Sequence, residues 1–199
     1  MGTLRGVSAA LAACVVLSGC GAGQEDDQAT TTSTAVTETP GNPWHLPIEQ
    51  RPPLFDPCAE IPIEAVEQGV GGPVEKVDEF ENRQTGELMS CGWANSELHF
   101  GVLSTWKSRE DYLADRMFVI QDSNSEVEGR TGIRISERGD GSDSTCLQLF
   151  FTGKGTVWVS LDLVNALNEF KGARFTPACE ALSEAILPVV NYIPEGDFR

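Results

Sequence analysis

The sequence predicts an α+β domain: an antiparallel sheet with helices packed on it, strands outnumbering helices. Three observations predict it. Apolar residues alternate with a period of two through the middle of the chain, between Leu98 and Leu163. A helical stripe with a start signal stands on each side of that block, at Asp56-Pro57 and at Thr176-Pro177. Each stripe carries a cysteine in its first turn, Cys58 and Cys179, and the block between them carries Cys91 and Cys146.

In chain order, the first feature precedes the domain. Arg5 is followed by a nearly continuous apolar run from Val7 to Leu17, eleven residues long. A bilayer span needs ~20 residues, whereas eleven suits the apolar region of an export signal. The run ends at Leu17-Ser18-Gly19-Cys20. Small residues at Ser18 and Gly19 let the chain enter a peptidase, and a cysteine stands where the apolar run stops. This is the layout of a bacterial lipobox: residues 1–19 form the signal, and the Cys20 thiol takes a diacylglycerol. Cys14 is then discarded with the signal. The alternative is an ordinary signal in which Cys20 is incidental. Two acyl chains, at ~0.8 kcal/mol per buried methylene, anchor stably where one does not. The expected location is the outer, extracytoplasmic face of the cell membrane, with the membrane as the first partner.

Residues 20–53 read as the lipidated Cys20 followed by a flexible linker. Gln24-Glu25-Asp26-Asp27 gives way to six threonines between Thr30 and Thr39 and then to scattered prolines. Such a segment has little apolar surface to bury, and threonine-rich stalks can carry O-linked glycans. Residues 54–199 are long enough for one domain of ordinary size. The chain has a formal charge of −16, and loss of residues 1–19 removes Arg5 alone, leaving 13 basic against 30 acidic side chains, or −17. A chain so acidic does not neutralise phosphates, so nucleic acid is not an expected partner.

Within the domain, Asp56 and Pro57 read as N-cap and first helical residue. The helix is expected through Ala59, Ile63 and Val66 to Gly69 or Gly71-Gly72, with Pro62 a flaw in it. Short strands are expected at Val74–Asp78, Met89–Trp93 and Gly132–Ser136. Stronger ones are centred on Leu98, Phe100 and Val102, on Leu147, Leu149 and Phe151, and on Val157, Val159, Leu161 and Leu163. Gly153-Lys154-Gly155 reads as a hairpin turn between the last two. Ser108 caps a helix whose buried side would be Tyr112, Leu113, Met117 and Phe118. At the end, Thr176 and Pro177 start a helix with the stripe Ala181, Leu182, Ala185, Ile186 and Val189.

Four cysteines in an exported domain read as two disulfides, with three possible connectivities. Similar local settings favour Cys58–Cys179, tying the N- and C-terminal helices, and Cys91–Cys146, tying two strands. Redox exchange is the competing reading, but no two of these cysteines are near each other in the sequence. With His45 and His99 the only histidines, no metal site is expected.

Chemistry is sparse. His99 is the one candidate base in the domain, and the chain has no Gly-x-Ser-x-Gly elbow, HExxH or phosphate-cradling loop. No catalytic residues and no cofactor are therefore expected. The run from Arg138 to Ser144 has the spaced oxygens of a calcium loop without its closing glutamate. If Cys91 and Cys146 share a face, then Trp93 and Phe150 share it, with Trp158 beside them. These three are the candidate ligand-binding residues, unless the helix near Ser108 or the lead-in around Trp44 and Phe55 covers them. The expected function is a lipid-anchored, non-catalytic module that binds an envelope lipid, a glycan or another protein. The alternatives are an envelope hydrolase using acidic residues and a calcium-dependent adhesion module.

The lipobox, the Thr/Pro spacer, Phe55-Asp56-Pro57-Cys58, Ser90-Cys91-Gly92-Trp93, the central Cys146 strand and the late Cys179 helix resemble one known family. These are the actinobacterial lipoproteins grouped as domain of unknown function 3558. The resemblance implies a small α+β extracytoplasmic domain, and it implies no activity and no catalytic residues.

Overall fold

The structure is a computed structural model, and it describes residues 41–139 and 143–198. The export signal and Cys20 lie outside the described residues, as do residues 140–142 of the calcium-like run.

Asp56 caps the first helix as expected: its Oδ1 accepts from the backbone N–H groups of Cys58 at 3.1 Å and Ala59 at 3.3 Å. The expected single helix is two, however. The helix α1 (Pro57–Glu60) stops and α2 (Ile63–Val70) begins after Pro62. Proline lacks an N–H and pushes the residue before it out of the helical region, and Ile61 sits at φ −100°, ψ 115°. Gly71, at φ 83°, closes α2 in the left-handed conformation.

The strands then follow as β1 (Glu75–Lys76), β2 (Asn82–Gln84), β3 (Leu88–Ala94) and β4 (Leu98–Thr105). After α3 (Arg109–Ala114) come β5 (Phe118–Val127), β6 (Arg130–Glu137), β7 (Thr145–Thr152) and β8 (Gly155–Leu163), then α4 (Ala178–Ala185) and a short 3-10 turn at Val190–Tyr192. The eight described strands form one antiparallel sheet in the order β1-β3-β4-β8-β7-β6-β5, with β2 also paired to β3. The two-residue turn Gly153-Lys154 joins β7 to β8, with the Thr152 hydroxyl donating to the Gly155 carbonyl.

Register divides the sheet into two faces. Trp93, Phe100, Leu161 and Cys146 form one cross-strand row, and Cys91, Val102, Val159 and Gln148 form the next. Both rows point into the main core, with α1, α2 and α4 above them. The α4 stripe read from the sequence is buried in full: Ala181, Leu182, Ala185, Ile186 and Val189 are all at 0% exposure. The other face carries Ile133, Ile135, Leu147, Leu149 and Phe151, which pack with Tyr112 of α3.

This layering corrects the disulfide connectivity. The bonds are Cys58–Cys91 and Cys146–Cys179, not Cys58–Cys179 and Cys91–Cys146. Each ties one helix to the strand beneath it, with Cα atoms 5.2 and 5.0 Å apart. Cys91 on β3 cannot reach Cys146 on β7, because β4 and β8 lie between them. Three strand spacings come to ~14 Å, about twice the reach of a disulfide. The two helices are therefore not tied to each other; each is stapled to the same face of the sheet.

Two boundaries also differ from expectation. The helix begun by the Ser108–Asp111 capping box ends at Ala114, where Asp115 turns out and its Oδ1 accepts from the Met117 N–H at 2.9 Å. Met117 is therefore exposed and Phe118 begins β5 instead of prolonging the helix. The domain also starts before Leu54. Residues 43–53, expected as linker, carry two short 3-10 turns, and the Trp44 indole N–H donates to the Thr152 carbonyl at 3.1 Å. The lead-in thus lies on the face opposite α4, beside Trp106 and Phe151.

Candidate functional site

The three aromatic candidates do not share a face. Trp93 and Phe150 are 3% and 1% exposed in the main core, beneath the helices. Both are packed among the core side chains of that face. Trp158 pairs with Leu149 and Leu103, one residue out of phase with Val157 and Val159, so it points to the opposite face. A residue slip of one inverts a strand side chain, and placing Trp158 beside Phe150 is that slip.

On its own face Trp158 is half-buried and stands between two open troughs. The first, about 340 Å³, is bounded by Phe80, Leu88, Ser90, Leu103, Trp158 and Ser160. Its depth comes from one cross-strand row of small residues, Gly92, Gly101 and Ser160, which leaves the sheet bare of large side chains. Phe80 closes one end over Gly92, where any Cβ would meet the Phe80 ring, and packs edge-on to His99 with centroids 5.3 Å apart. The second trough, about 320 Å³, has Tyr112, Met117, Phe118 and Trp158 as its apolar lining and Lys107 and Asp115 at its rim.

Local structure positions each group. The Phe118 ring meets Trp158 edge-on at 6.4 Å, and Tyr112 lies 6.2 Å from Phe118. The Lys107 ammonium sits 4.5 Å from the Tyr112 ring centre and pairs with Asp115 at 2.5 Å. That hydrogen bond from Lys107, with one from the Met117 N–H, holds the Asp115 carboxyl below its usual range. Burial first, then the charges of Asp115 and Asp111, push the Tyr112 phenol well above its ordinary value, so it stays neutral.

One atom in this arrangement lacks a partner. Trp158 Nε1 is the single buried side-chain nitrogen or oxygen without a hydrogen bond among the described residues. Leaving such a donor unpaired costs ~1–3 kcal/mol. The buried Gln148 amide, by contrast, exchanges hydrogen bonds with the Ser125 hydroxyl and accepts from the Arg134 guanidinium, which also donates to the Ser183 hydroxyl.

Among the described residues no three His, Cys, Asp or Glu side chains gather as a metal-binding group. No helix among them is long and apolar enough to cross a membrane. Sequence reasoning missed Phe80, Leu103 and Ser160, because only the register of β3, β4 and β8 brings them to Trp158. A strand tryptophan alternating against Val157 and Val159 was the available signal.

No curated protein and no solved structure matches this chain. A family model, however, matches residues 15–191, nearly the whole sequence. The chain belongs to the family described as protein of unknown function DUF3558.

Proposed function

We propose that this protein is a lipid-anchored binding module of the cell envelope, not an enzyme, and that it holds a single-chain amphiphile on the open face of its sheet. The acyl chain lies in the troughs flanking Trp158, and an ester or hydroxyl oxygen accepts from the indole N–H. The unpartnered Trp158 Nε1 between two apolar troughs carries this reading. The atom itself is shielded, so the ligand reaches it as Phe118 and the indole ring part. Binding then recovers a hydrogen bond that the free protein leaves unmade.

The anchor is read from Leu17-Ser18-Gly19-Cys20. With Cys20 acylated, the protein is held at the outer face of the membrane. Metabolic labelling with a palmitate analogue should label the wild-type chain and not Cys20→Ala; labelling of Cys20→Ala would refute the anchor.

Native mass spectrometry of the oxidised full-length chain, with a medium-chain monoacylglycerol as probe, tests the site. Filling the small-residue row with Ser160→Leu should weaken binding by at least about tenfold. Trp158→Phe, which keeps the ring but removes the N–H, should weaken it by ~1–2 kcal/mol while leaving thermal stability unchanged or slightly raised. Undiminished binding by both variants would remove the troughs from consideration.

A further inference from the structure

We infer that a second site, where the lead-in meets the start of α3, binds an acidic saccharide. A cleft of about 360 Å³ opens there between Trp44, Trp106, Phe151, Arg51 and Arg109. Trp44 and Trp106 meet edge to face with centroids 4.9 Å apart. The Arg51 guanidinium lies 5.7 Å from the Trp44 centroid and 5.0 Å from that of Trp106, and Arg109 lies 5.5 Å from Phe151. The aromatic rings thus hold two planar cations at the mouth of one cleft.

These two arginines are among the basic side chains that have no carboxylate within 4.0 Å among the described residues. With 30 acidic and 14 basic side chains, carboxylates are plentiful. Lys76, Arg83, Lys107, Lys154, Lys171 and Arg174 each have one within 4.0 Å. Neither Arg51 nor Arg109 has such a partner among the described residues. Arg51 donates only to the Leu46 and Trp44 carbonyls, and Arg109 to that of Ser123. A guanidinium has five N–H groups in a fork that fits a carboxylate, so several donors on each remain for a ligand.

The cleft is not built for a bare anion. Glu110 and Asp111 line it too. Asp111 is committed to the Ser108 capping box, and that bond holds its carboxyl below the usual range. Carboxylates repel an inorganic anion but accept from hydroxyls. A ligand that satisfies all three kinds of wall has an apolar ring face for the tryptophans, hydroxyls for the acids and a carboxylate for the arginines. A uronic acid unit of a glycan is such a ligand.

Calorimetric titration of the full-length chain with trigalacturonate, the neutral galactose trisaccharide and inorganic phosphate tests this. Trigalacturonate should bind saturably and at least about tenfold tighter than either of the others. Arg109→Gln should cost about tenfold or more in that affinity, with Arg109→Lys between it and wild type. Thermal melts of both variants should stay close to wild type, since Arg109 contributes only an exposed hydrogen bond to Ser123 and a stacking contact with Phe151. No binding of trigalacturonate, equal binding of the neutral sugar or of phosphate, or full affinity in Arg109→Gln would each overturn the inference.

Discussion

Replacing Cys146 and Cys179 together by alanine should destabilise the domain by ~3–4 kcal/mol on the chain-entropy model. The bond spans 33 residues of sequence, so its loss frees a large loop in the unfolded chain. In the folded state it fixes α4 above β7, where Cys146 is fully buried in a row with Leu161 and Phe100. For a domain of this size the loss corresponds to a fall of roughly 6–16 °C in Tm. Calorimetry at a fixed scan rate checks it. The variant should still fold, because α4 keeps Ala181, Leu182, Ala185 and Ile186 in the core. Peptide mapping under non-reducing conditions should recover Cys58 with Cys91 and Cys146 with Cys179. Recovery of Cys58 with Cys179 would contradict the layering of helices on the sheet.

The second large effect is expected at Gly69. Here α2 crosses α4 so closely that a Cβ on Gly69 would stand 2.1 Å from the Ala185 carbonyl oxygen. That oxygen belongs to helix backbone and cannot swing away as a flexible side chain does. Gly69→Leu should therefore drive the helices apart and cost ~3 kcal/mol or more. The gain in helix propensity, ~1 kcal/mol, is too small to offset it. Gly72, three residues on, has nothing within 4 Å of its notional Cβ, so Gly72→Ala should fall within about 0.5 kcal/mol of wild type. Urea unfolding of the two variants gives the comparison. Equal stability would mean that α2 does not lie on α4.

Much of this fold was legible because each element carries its own local signal. Alternation placed β4, β7 and β8, the Asp56-Pro57 pair placed α1, and the stripe from Ala181 to Val189 placed α4. The strand β5 gave no such signal. Its centre, Gln121 to Asn124, is exposed and polar, and its register with β6 shifts twice. Tyr112, Leu113, Met117 and Phe118 recur at helical spacing, so the chain reads as helix across a turn that only Asp115 marks. Connectivity of the cysteines was not legible, because it depends on strand order, and β8 pairs with β4 only through a long excursion in sequence. The same long-range register sets the Trp158 site. Its residues come from β3, β4, β8, α3, β5 and the turns around Phe80, Lys107 and Asp115, and no local pattern relates Gly101 to Ser160 or Phe118 to Trp158.

Proton–nitrogen NMR of the four tryptophan indoles in the full-length chain tests the binding face most directly. The Trp158 signal is assigned by its loss in Trp158→Phe. In the free protein it should resonate as an indole N–H without an acceptor, and it should move downfield in a saturable way as monoacylglycerol is added. The Trp93 signal, from the core beneath the helices, should hold still. A Trp158 signal indifferent to every amphiphile offered, or a shift at Trp93 in its place, would contradict a ligand site on the open face of the sheet.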